Sequence, residues 1–107
     1  MFIHLSSPTA PAGKVTFVIH NSDAMDHELV GFATKTPAGA YPITSFDGQP
    51  NRIDEDKAGT AVIDTGAALP AGTTQLLTVD LKAGHIALVC NLPGHYGAGM
   101  HADFRVY

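Results

Sequence analysis

The sequence is poor in the residues that mark several classes of protein: it has one cysteine, no tryptophan, and only 6 Lys and Arg residues against 10 Asp and Glu residues. A single cysteine cannot form an internal disulfide, which excludes a fold held by disulfide bridges. The formal net charge of −4, without any basic run, argues against nucleic acid and anionic membrane surfaces as partners. No apolar run is long enough for a membrane span, so we predict none in this chain.

The chain does have enough apolar residues for one small domain. Its 107 residues are 45% hydrophobic, which argues against disorder and suffices for a modest core. There is no internal repeat and no linker, so we predict a single domain over residues 1–107. The N-terminus, MFIHLSSPTA, lacks the basic start and long apolar middle of a signal peptide.

Short runs rich in Val, Ile, Thr, Phe and Leu alternate with turn-forming segments rich in Gly, Pro, Asn and Asp. Within several of these runs, apolar and polar residues alternate with a period of two, which is typical of half-buried β-strands. About seven such runs predict an all-β fold, a Greek-key β-sandwich of about seven to eight strands. The predicted strands are Phe2–Ser6, Val15–Asn21, His27–Phe32, Ala61–Thr65, Gln75–Leu81, His85–Asn91 and Ala102–Tyr107.

One segment, Gln49–Gly59 (QPNRIDEDKAG), does not have a strand pattern. Its acidic cluster follows Asn51, a residue type that caps helices, which favours a short helix near residues 51–58. An exposed acidic loop explains the same residues equally well. Both interpretations remain open at the level of the sequence.

The segment CNLPGHYGAGM holds the lone cysteine, Cys90, together with His95 and Met100. Taken singly, a cysteine after an apolar run is usually a small buried hydrophobic residue, and a methionine is usually core filler. Proline and glycines fill most of the space between the three residues, so the backbone can fold tightly enough to bring them together. A thiolate, an imidazole and a thioether form a soft donor set, which favours copper.

A second imidazole is available upstream. His27 begins a predicted strand, and strand ends that are distant in sequence are often neighbours in a sandwich. Two histidines and one cysteine in a trigonal arrangement, with a distant axial methionine, define a blue copper site. The sequence therefore predicts that His27, Cys90, His95 and Met100 bind one copper ion.

Two stretches, PAGKVTFVIHNSDAMDHELV and LKAGHIALVCNLPGHYGAGM, resemble the cupredoxins, the family of small type 1 copper proteins. The spacing from Cys90 to Met100 is more similar to that of rusticyanin and sulfocyanin than to that of plastocyanin. The resemblance implies that His27, Cys90 and His95 are equatorial ligands and that Met100 is the axial ligand. It also implies one-electron transfer by a copper ion that cycles between Cu(I) and Cu(II).

Two residues next to the predicted ligands depart from the common cupredoxin pattern. Glu28 follows the first histidine, where several members of the family carry Asn or Ser, and Asn91 follows the cysteine. Both are expected to lie around the ligands, where hydrogen bonds to the cysteine sulfur tune the reduction potential. The sequence leaves open which hydrogen bonds reach that sulfur.

In cupredoxins the histidine of this loop exposes its ring edge within an apolar patch, and His95 matches that position. The resemblance therefore implies that redox partner proteins dock transiently near His95, on a patch formed by Pro93, Gly94, Gly97 and Ala98. It also implies a monomer outside the cytoplasm, in the periplasm or on the outer membrane face. A leader or anchor would then be absent from this chain.

Other classes of function remain to be weighed. Four donors leave no coordination position for a substrate, which favours a carrier over an enzyme. A copper-binding, delivery or sensing module without electron transfer is the main alternative. A hydrolase with Cys90 as nucleophile and His95 as base is less favoured, because no residue is evident that would orient the histidine. The remaining histidines are expected at the surface: His4, His20, His85 and His101.

Overall fold

The computed structural model describes residues 1–107 and is a β-sandwich with nine strands. Two short 3₁₀ helices, Ala38–Ala40 and Glu55–Lys57, are the only helical segments. None of the helices is long and apolar enough to span a membrane. The strands are β1 (Thr9–Ala10), β2 (Gly13–His20), β3 (Val30–Ala33), β4 (Thr44–Phe46), β5 (Gln49–Arg52), β6 (Thr60–Asp64), β7 (Thr74–Leu81), β8 (Gly84–Val89) and β9 (His101–Val106).

The strands form one large sheet, one small sheet and a separate hairpin. The large sheet has the order β1-β9-β8-β3-β6, the small sheet pairs β2 with β7, and the hairpin pairs β4 with β5. Strand β1 pairs with β9 in parallel, whereas the other pairs are antiparallel. The main core lies between the two sheets and includes Leu88, Phe104 and Val106.

The large sheet is covered on both faces, which explains why β8 is apolar along most of its length. A second core cluster packs Phe32 of β3 and Val89 of β8 against Ile53, Ala58 and Tyr96 from the connecting segments. Strands buried on both faces are expected to be nearly continuous in apolar residues rather than alternating. Tyr96 belongs to the loop after β8, so this second cluster holds that loop against the large sheet.

The centre of the large sheet is packed closely around a glycine in β3. A Cβ atom on Gly31 would lie 3.0 Å from the Cβ of Ile63 and 3.1 Å from a methyl group of Leu88. The pairing of β3 with β6 also shifts register between Gly31 and Phe32. Glycine at this position therefore allows β3, β6 and β8 to pack closely near the end of the sandwich that carries His27 and Cys90.

The predicted all-β sandwich is confirmed, and six of the seven predicted strands overlap observed ones, with altered ends. The prediction of a strand over Phe2–Ser6 is wrong, because no backbone hydrogen bond joins this segment to a neighbour. Its alternation arises because Ile3 and Leu5 pack against the main core while their neighbours face solvent. The observed strand count exceeds the prediction through the short β1 and the β4–β5 hairpin.

The ends of two predicted strands need correction where the functional residues lie. Strand β3 begins at Val30, so His27 precedes it, and β8 ends at Val89, so Cys90 and Asn91 follow it. The functional residues are therefore held by loops at one end of the large sheet. Loops placed by a rigid scaffold are common sites of function.

The region near residues 51–58 contains a single 3₁₀ turn rather than a longer helix. Its cap is Asp54, whose side chain accepts a hydrogen bond of 3.0 Å from the backbone N–H of Asp56. Asn51 is not the cap, because it belongs to β5 with a positive φ of 58°. Strand β5 extends to Arg52 and β6 begins at Thr60, so any helix is confined to the short connection between these strands.

Candidate metal centre

Three of the four predicted ligands converge at one end of the sandwich. The Nδ1 atoms of His27 and His95 lie 3.0 Å apart. The Sγ atom of Cys90 lies 3.8 Å from Nδ1 of His27 and 3.5 Å from Nδ1 of His95. The three side chains thus form a compact triangle of one sulfur and two nitrogen donors, with each donor within 4.8 Å of the others.

Backbone hydrogen bonds fold the loop Cys90–Met100 back on itself. The N–H of Cys90 donates to the carbonyl oxygen of Met100 at 3.0 Å, and the N–H of Met100 donates to that of His95 at 3.2 Å. Within the loop, the N–H of Gly99 donates to Tyr96 at 3.0 Å. These bonds fix the relative positions of the cysteine, the histidine and the methionine without any strand pairing inside the loop.

His27 is placed by a different part of the chain. It forms an isolated antiparallel bridge with Leu69, in which the two residues exchange hydrogen bonds of 3.1 and 2.6 Å. Leu69 is buried, so this bridge anchors His27 inside the structure. The bridge is the physical reason that a histidine before β3 reaches the loop after β8.

Met100 is buried at the same end of the sandwich, with 6% of its surface exposed. It lines a cavity of about 830 Å³ together with His27 and the N-terminal segment Met1–Ser7. Because its backbone is hydrogen-bonded to Cys90 and His95, this buried methionine is in the part of the structure where a weak thioether donor is expected.

Cys90 is fully buried, and burial is the main reason that the pKa of its thiol is raised. The backbone N–H of Glu28 donates a hydrogen bond to the Cys90 sulfur at 3.4 Å and, with the N–H of Leu92, acts in the opposite direction. Burial also lowers the pKa of His95, and the neighbouring His27 lowers it further. Without a bound cation, burial thus disfavours both an unpaired thiolate and an imidazolium at this site, whereas a metal ion would supply the positive charge that stabilises the thiolate.

The two residues that depart from the cupredoxin pattern have different surroundings. Glu28 contributes its backbone N–H to the sulfur, while burial raises the pKa of its carboxyl group and the charge of Glu55 raises it further. Asn91 is fully buried, and its side chain exchanges hydrogen bonds with the backbone of Ile53 at 2.8 and 3.0 Å. Asn91 therefore ties the ligand loop to the segment after β5.

The hydrogen bonds of Asn91 also involve Glu55, one residue of the acidic cluster seen in the sequence. Asn91 donates a hydrogen bond of 2.8 Å to Glu55, and Arg52 lies 3.5 Å from the same carboxylate oxygen. Arg52 also donates to the backbone carbonyl oxygen of Asn91 at 2.7 Å. The carboxylate of Glu55 therefore stabilises the ligand loop through Asn91 and Arg52 and is not a free surface charge.

The geometry of the triangle fits a bound transition metal. An ion about 2.0 Å from each nitrogen and about 2.3 Å from the sulfur would separate trigonal donors by roughly 3.5 to 3.8 Å. The two nitrogen–sulfur distances of 3.5 and 3.8 Å agree, and the nitrogen–nitrogen distance of 3.0 Å is somewhat shorter. Sulfur and imidazole donors with a buried thioether fit copper best.

His95 is partly exposed, and the four residues predicted to surround its ring edge are all exposed: Pro93, Gly94, Gly97 and Ala98. Sequence reasoning missed Ile43, which is 54% exposed and lies against Gly97, 3.3 Å from where a Cβ on that glycine would lie. Ile43 belongs to the segment before β4, and nothing in its local sequence connects it with the ligand loop.

Sequence reasoning also missed Asp23. Its Oδ2 atom lies 2.9 Å from Nε2 of His27, on the side of the ring opposite Cys90. The hydrogen bond from His27 is the main cause of a lowered pKa for Asp23, followed by the backbone N–H of Ala24. The only sequence signal is an aspartate four positions before a histidine in a turn-forming segment.

The sandwich and its Cys-His-His donor set with a buried methionine define a cupredoxin, a class of small electron carriers with one type 1 copper ion. The family model described as the sulfocyanin (SoxE) domain matches residues 8–107. The chain belongs to the sulfocyanin domain family. The predicted resemblance to cupredoxins is therefore confirmed.

Solved structures share the fold at low sequence identity. Reduced auracyanin from the photosynthetic bacterium Roseiflexus castenholzii is 21% identical, with a TM-score of 0.68 over 92% of this chain and 82% of that chain. Reduced rusticyanin is 24% identical, with a TM-score of 0.63 over 92% of this chain and 61% of that chain. The chain thus spans about three fifths of the length of rusticyanin. The search of curated proteins found no match to this chain.

Proposed function

We propose that this protein is a one-electron carrier in which His27, Cys90 and His95 hold one copper ion and Met100 approaches it axially. The observation that carries the proposal is the convergence of one sulfur and two imidazole nitrogens within 4.8 Å of one another. A copper ion held there would supply a reversible Cu(I)/Cu(II) couple.

The protein's own contribution is to keep these donors in place. The bridge between His27 and Leu69 and the closed hydrogen bonds of the ligand loop limit rearrangement of the side chains. A rigid donor set lowers the structural cost of gaining or losing an electron. Because four donors surround the ion, we further propose that the protein has no catalytic activity of its own.

We propose that electrons leave through the edge of His95. Its ring is partly exposed, whereas Cys90 and Met100 are buried. The surrounding patch of Pro93, Gly94, Gly97 and Ala98 is small and mostly apolar, and Ile43 extends it. Such a surface suits brief docking of redox partner proteins over a small interface.

We propose that the protein acts as a monomer with redox partner proteins and not with nucleic acid. The net charge of −4 argues against nucleic acid as a partner and favours protein partners with a basic docking surface. We also propose an extracytoplasmic location, in the periplasm or on the outer membrane face, which its family membership supports. Glu55 is bound by Asn91 and Arg52, so the charges that can attract a basic partner are those of the other acidic residues.

The test is to add Cu(II) to the metal-free protein and record optical and electron paramagnetic resonance spectra. We expect an intense visible band from thiolate-to-copper charge transfer, bleached by a mild reductant and restored by an oxidant. Cys90→Ser should abolish the band, whereas Met25→Leu, at an exposed methionine, should leave it intact.

A colourless Cu(II) complex would contradict the proposal. Rapid loss of copper to a chelator, together with the lack of a reversible couple, would favour the copper-delivery alternative. His27→Ala provides a second check, because it should open or disable the site while leaving Cys90 in place.

A further inference from the structure

We propose that Asp23 is a positioning residue that holds the ring of His27 for copper and favours the oxidised ion, an inference that rests on the function proposed above. Asp23 accepts a hydrogen bond from Nε2 of His27 at 2.9 Å. An ionised carboxylate can only accept, so the proton of the neutral ring lies on Nε2. The lone pair of Nδ1 is then directed toward Cys90 and His95, where the ion would lie.

The loop that carries Asp23 is built to hold it in this position. Asn21 is buried, and its side-chain oxygen accepts a hydrogen bond of 2.9 Å from the backbone N–H of Asp23. Its amide nitrogen donates to the carbonyl oxygens of Met25 at 2.8 Å and Leu69 at 2.9 Å. Because Leu69 is also the bridge partner of His27, one buried side chain fixes both the aspartate and the histidine.

Both carboxylate oxygens of Asp23 have defined partners. Oδ1 accepts from the backbone N–H of Ala24 at 2.7 Å, which leaves Oδ2 for His27. The side chain of His27 is only 11% exposed, whereas that of Asp23 is 42% exposed. The ring is therefore buried while the carboxylate that contacts it stays partly in solvent, and both of these hydrogen bonds form without a metal ion.

The physical consequence is a bias between the two oxidation states. A carboxylate hydrogen-bonded to a ligand histidine increases the basicity of the ring, and loss of such a partner typically costs about 10- to 100-fold in metal affinity. The more highly charged Cu(II) gains more from a basic donor and a nearby negative charge than Cu(I) does. Asp23 should therefore lower the reduction potential.

The test compares two substitutions at Asp23 with one at Asp26, an exposed aspartate in the same loop without a side-chain hydrogen bond. Asp23→Asn removes the charge and allows either its oxygen or its nitrogen to face Nε2, while Asp23→Ala removes the contact. Asp26→Asn changes the net charge equally and leaves the contact intact. Circular dichroism and unfolding of each variant verify the fold.

In the copper-loaded protein we expect both Asp23 variants to bind Cu(II) at least about tenfold more weakly. A tenfold loss confined to Cu(II) raises the potential of a one-electron couple by about 59 mV. Asp26→Asn should change it much less. In the metal-free protein, ¹⁵N spectra should show the proton on Nε2 of His27 for the original chain and a mixture of tautomers for both Asp23 variants.

An unchanged tautomer and an unchanged potential in both Asp23 variants would overturn the role of Asp23. An equal shift in Asp26→Asn would also overturn it, because the effect would then be one of net charge alone. Absence of the thiolate band in the original chain would instead contradict the proposed copper function. The ¹⁵N measurement would still decide whether Asp23 positions the ring.

Discussion

The hydroxyl group of Tyr96 donates a hydrogen bond of 2.6 Å to the carbonyl oxygen of Ala38, in the 3₁₀ helix after β3. The same hydroxyl accepts a hydrogen bond of 3.0 Å from the backbone N–H of Tyr41. Tyr96 is 4% exposed and belongs to the loop that carries His95 and Met100. One buried hydroxyl thus connects the ligand loop to a segment that supplies no ligand.

We expect Tyr96→Phe to lower the free energy of unfolding of the metal-free protein by about 1 to 3 kcal/mol, because a buried donor and acceptor lose their partner. Urea denaturation measures this change. Tyr107→Phe, at a tyrosine that is 68% exposed, is the matched control and should have little effect. Equal stability of Tyr96→Phe and the original chain would show that these two hydrogen bonds do not contribute to the stability of the fold.

Met100→Leu should retain copper and raise the reduction potential. The substitution nearly preserves volume in a buried position, so the fold should tolerate it. Loss of a weak thioether donor disfavours Cu(II) more than Cu(I), which shifts the couple upward. Voltammetry and the optical spectrum measure the effect, with Met25→Leu as the control at an exposed methionine. If Met100→Leu leaves both the reduction potential and the optical spectrum unchanged, the assignment of Met100 as the axial ligand is wrong.

The ligand loop could be predicted from the sequence because its information is local. Cys90, His95 and Met100 lie on one short loop, and proline and glycine residues nearby indicate that it folds tightly. His27 was found by chemistry, since the donor set of the loop lacked a second imidazole. The bridge that positions it could not be predicted because its other partner, Leu69, lies in a turn-forming segment without strand patterning.

The residues that sequence reasoning missed act through contacts of long range or weak pattern. Ile43 lies just before the β4–β5 hairpin, which is joined to the loop by a hydrogen bond of 2.8 Å from the backbone N–H of Gly94 to the carbonyl oxygen of Asn51. Asp23 resembles any turn aspartate until its contact with His27 is known. The error at Phe2–Ser6 has the opposite origin: the alternation is real, but side-chain burial and strand pairing are separate events, and this segment has only the first.

The stability of the metal-free protein should fall in acid through Asp103. The hydrogen bond from the backbone N–H of Ala38 lowers the pKa of this carboxyl group below its ordinary 3.8, with a further contribution from His85 at 2.7 Å. The unfolded chain therefore binds the proton more readily. Asp103 stabilises the fold above pH 3.8, and this contribution is lost as the pH falls through the lower folded-state pKa.

Urea denaturation on both sides of pH 3.8 measures this dependence. Asp103→Asn should reduce the stability near neutral pH and flatten the decline in acid. Asp80→Asn is the matched control, because Asp80 is exposed on β7 and its side chain makes no hydrogen bond. An acid decline of the same size in Asp103→Asn would assign it to other carboxylates.

Ile43→Asp should slow electron exchange between oxidised and reduced copies of the copper-loaded protein without changing its spectrum or potential. Ile43 is 54% exposed beside Gly97, so a carboxylate there removes apolar contact area next to His95 and adds like-charge repulsion between the two copies. NMR line broadening in mixtures of the two oxidation states measures the exchange rate.

Val18→Asp is the matched control, because Val18 is 68% exposed on β2 in the small sheet and the substitution adds the same charge. Added salt should screen the repulsion in both variants, since it acts between solvent-exposed charges. The lost apolar contact should remain, so Ile43→Asp should stay slower than Val18→Asp at high ionic strength. If the two variants converge there, docking does not use Ile43, and the effect at low salt reflects net charge only.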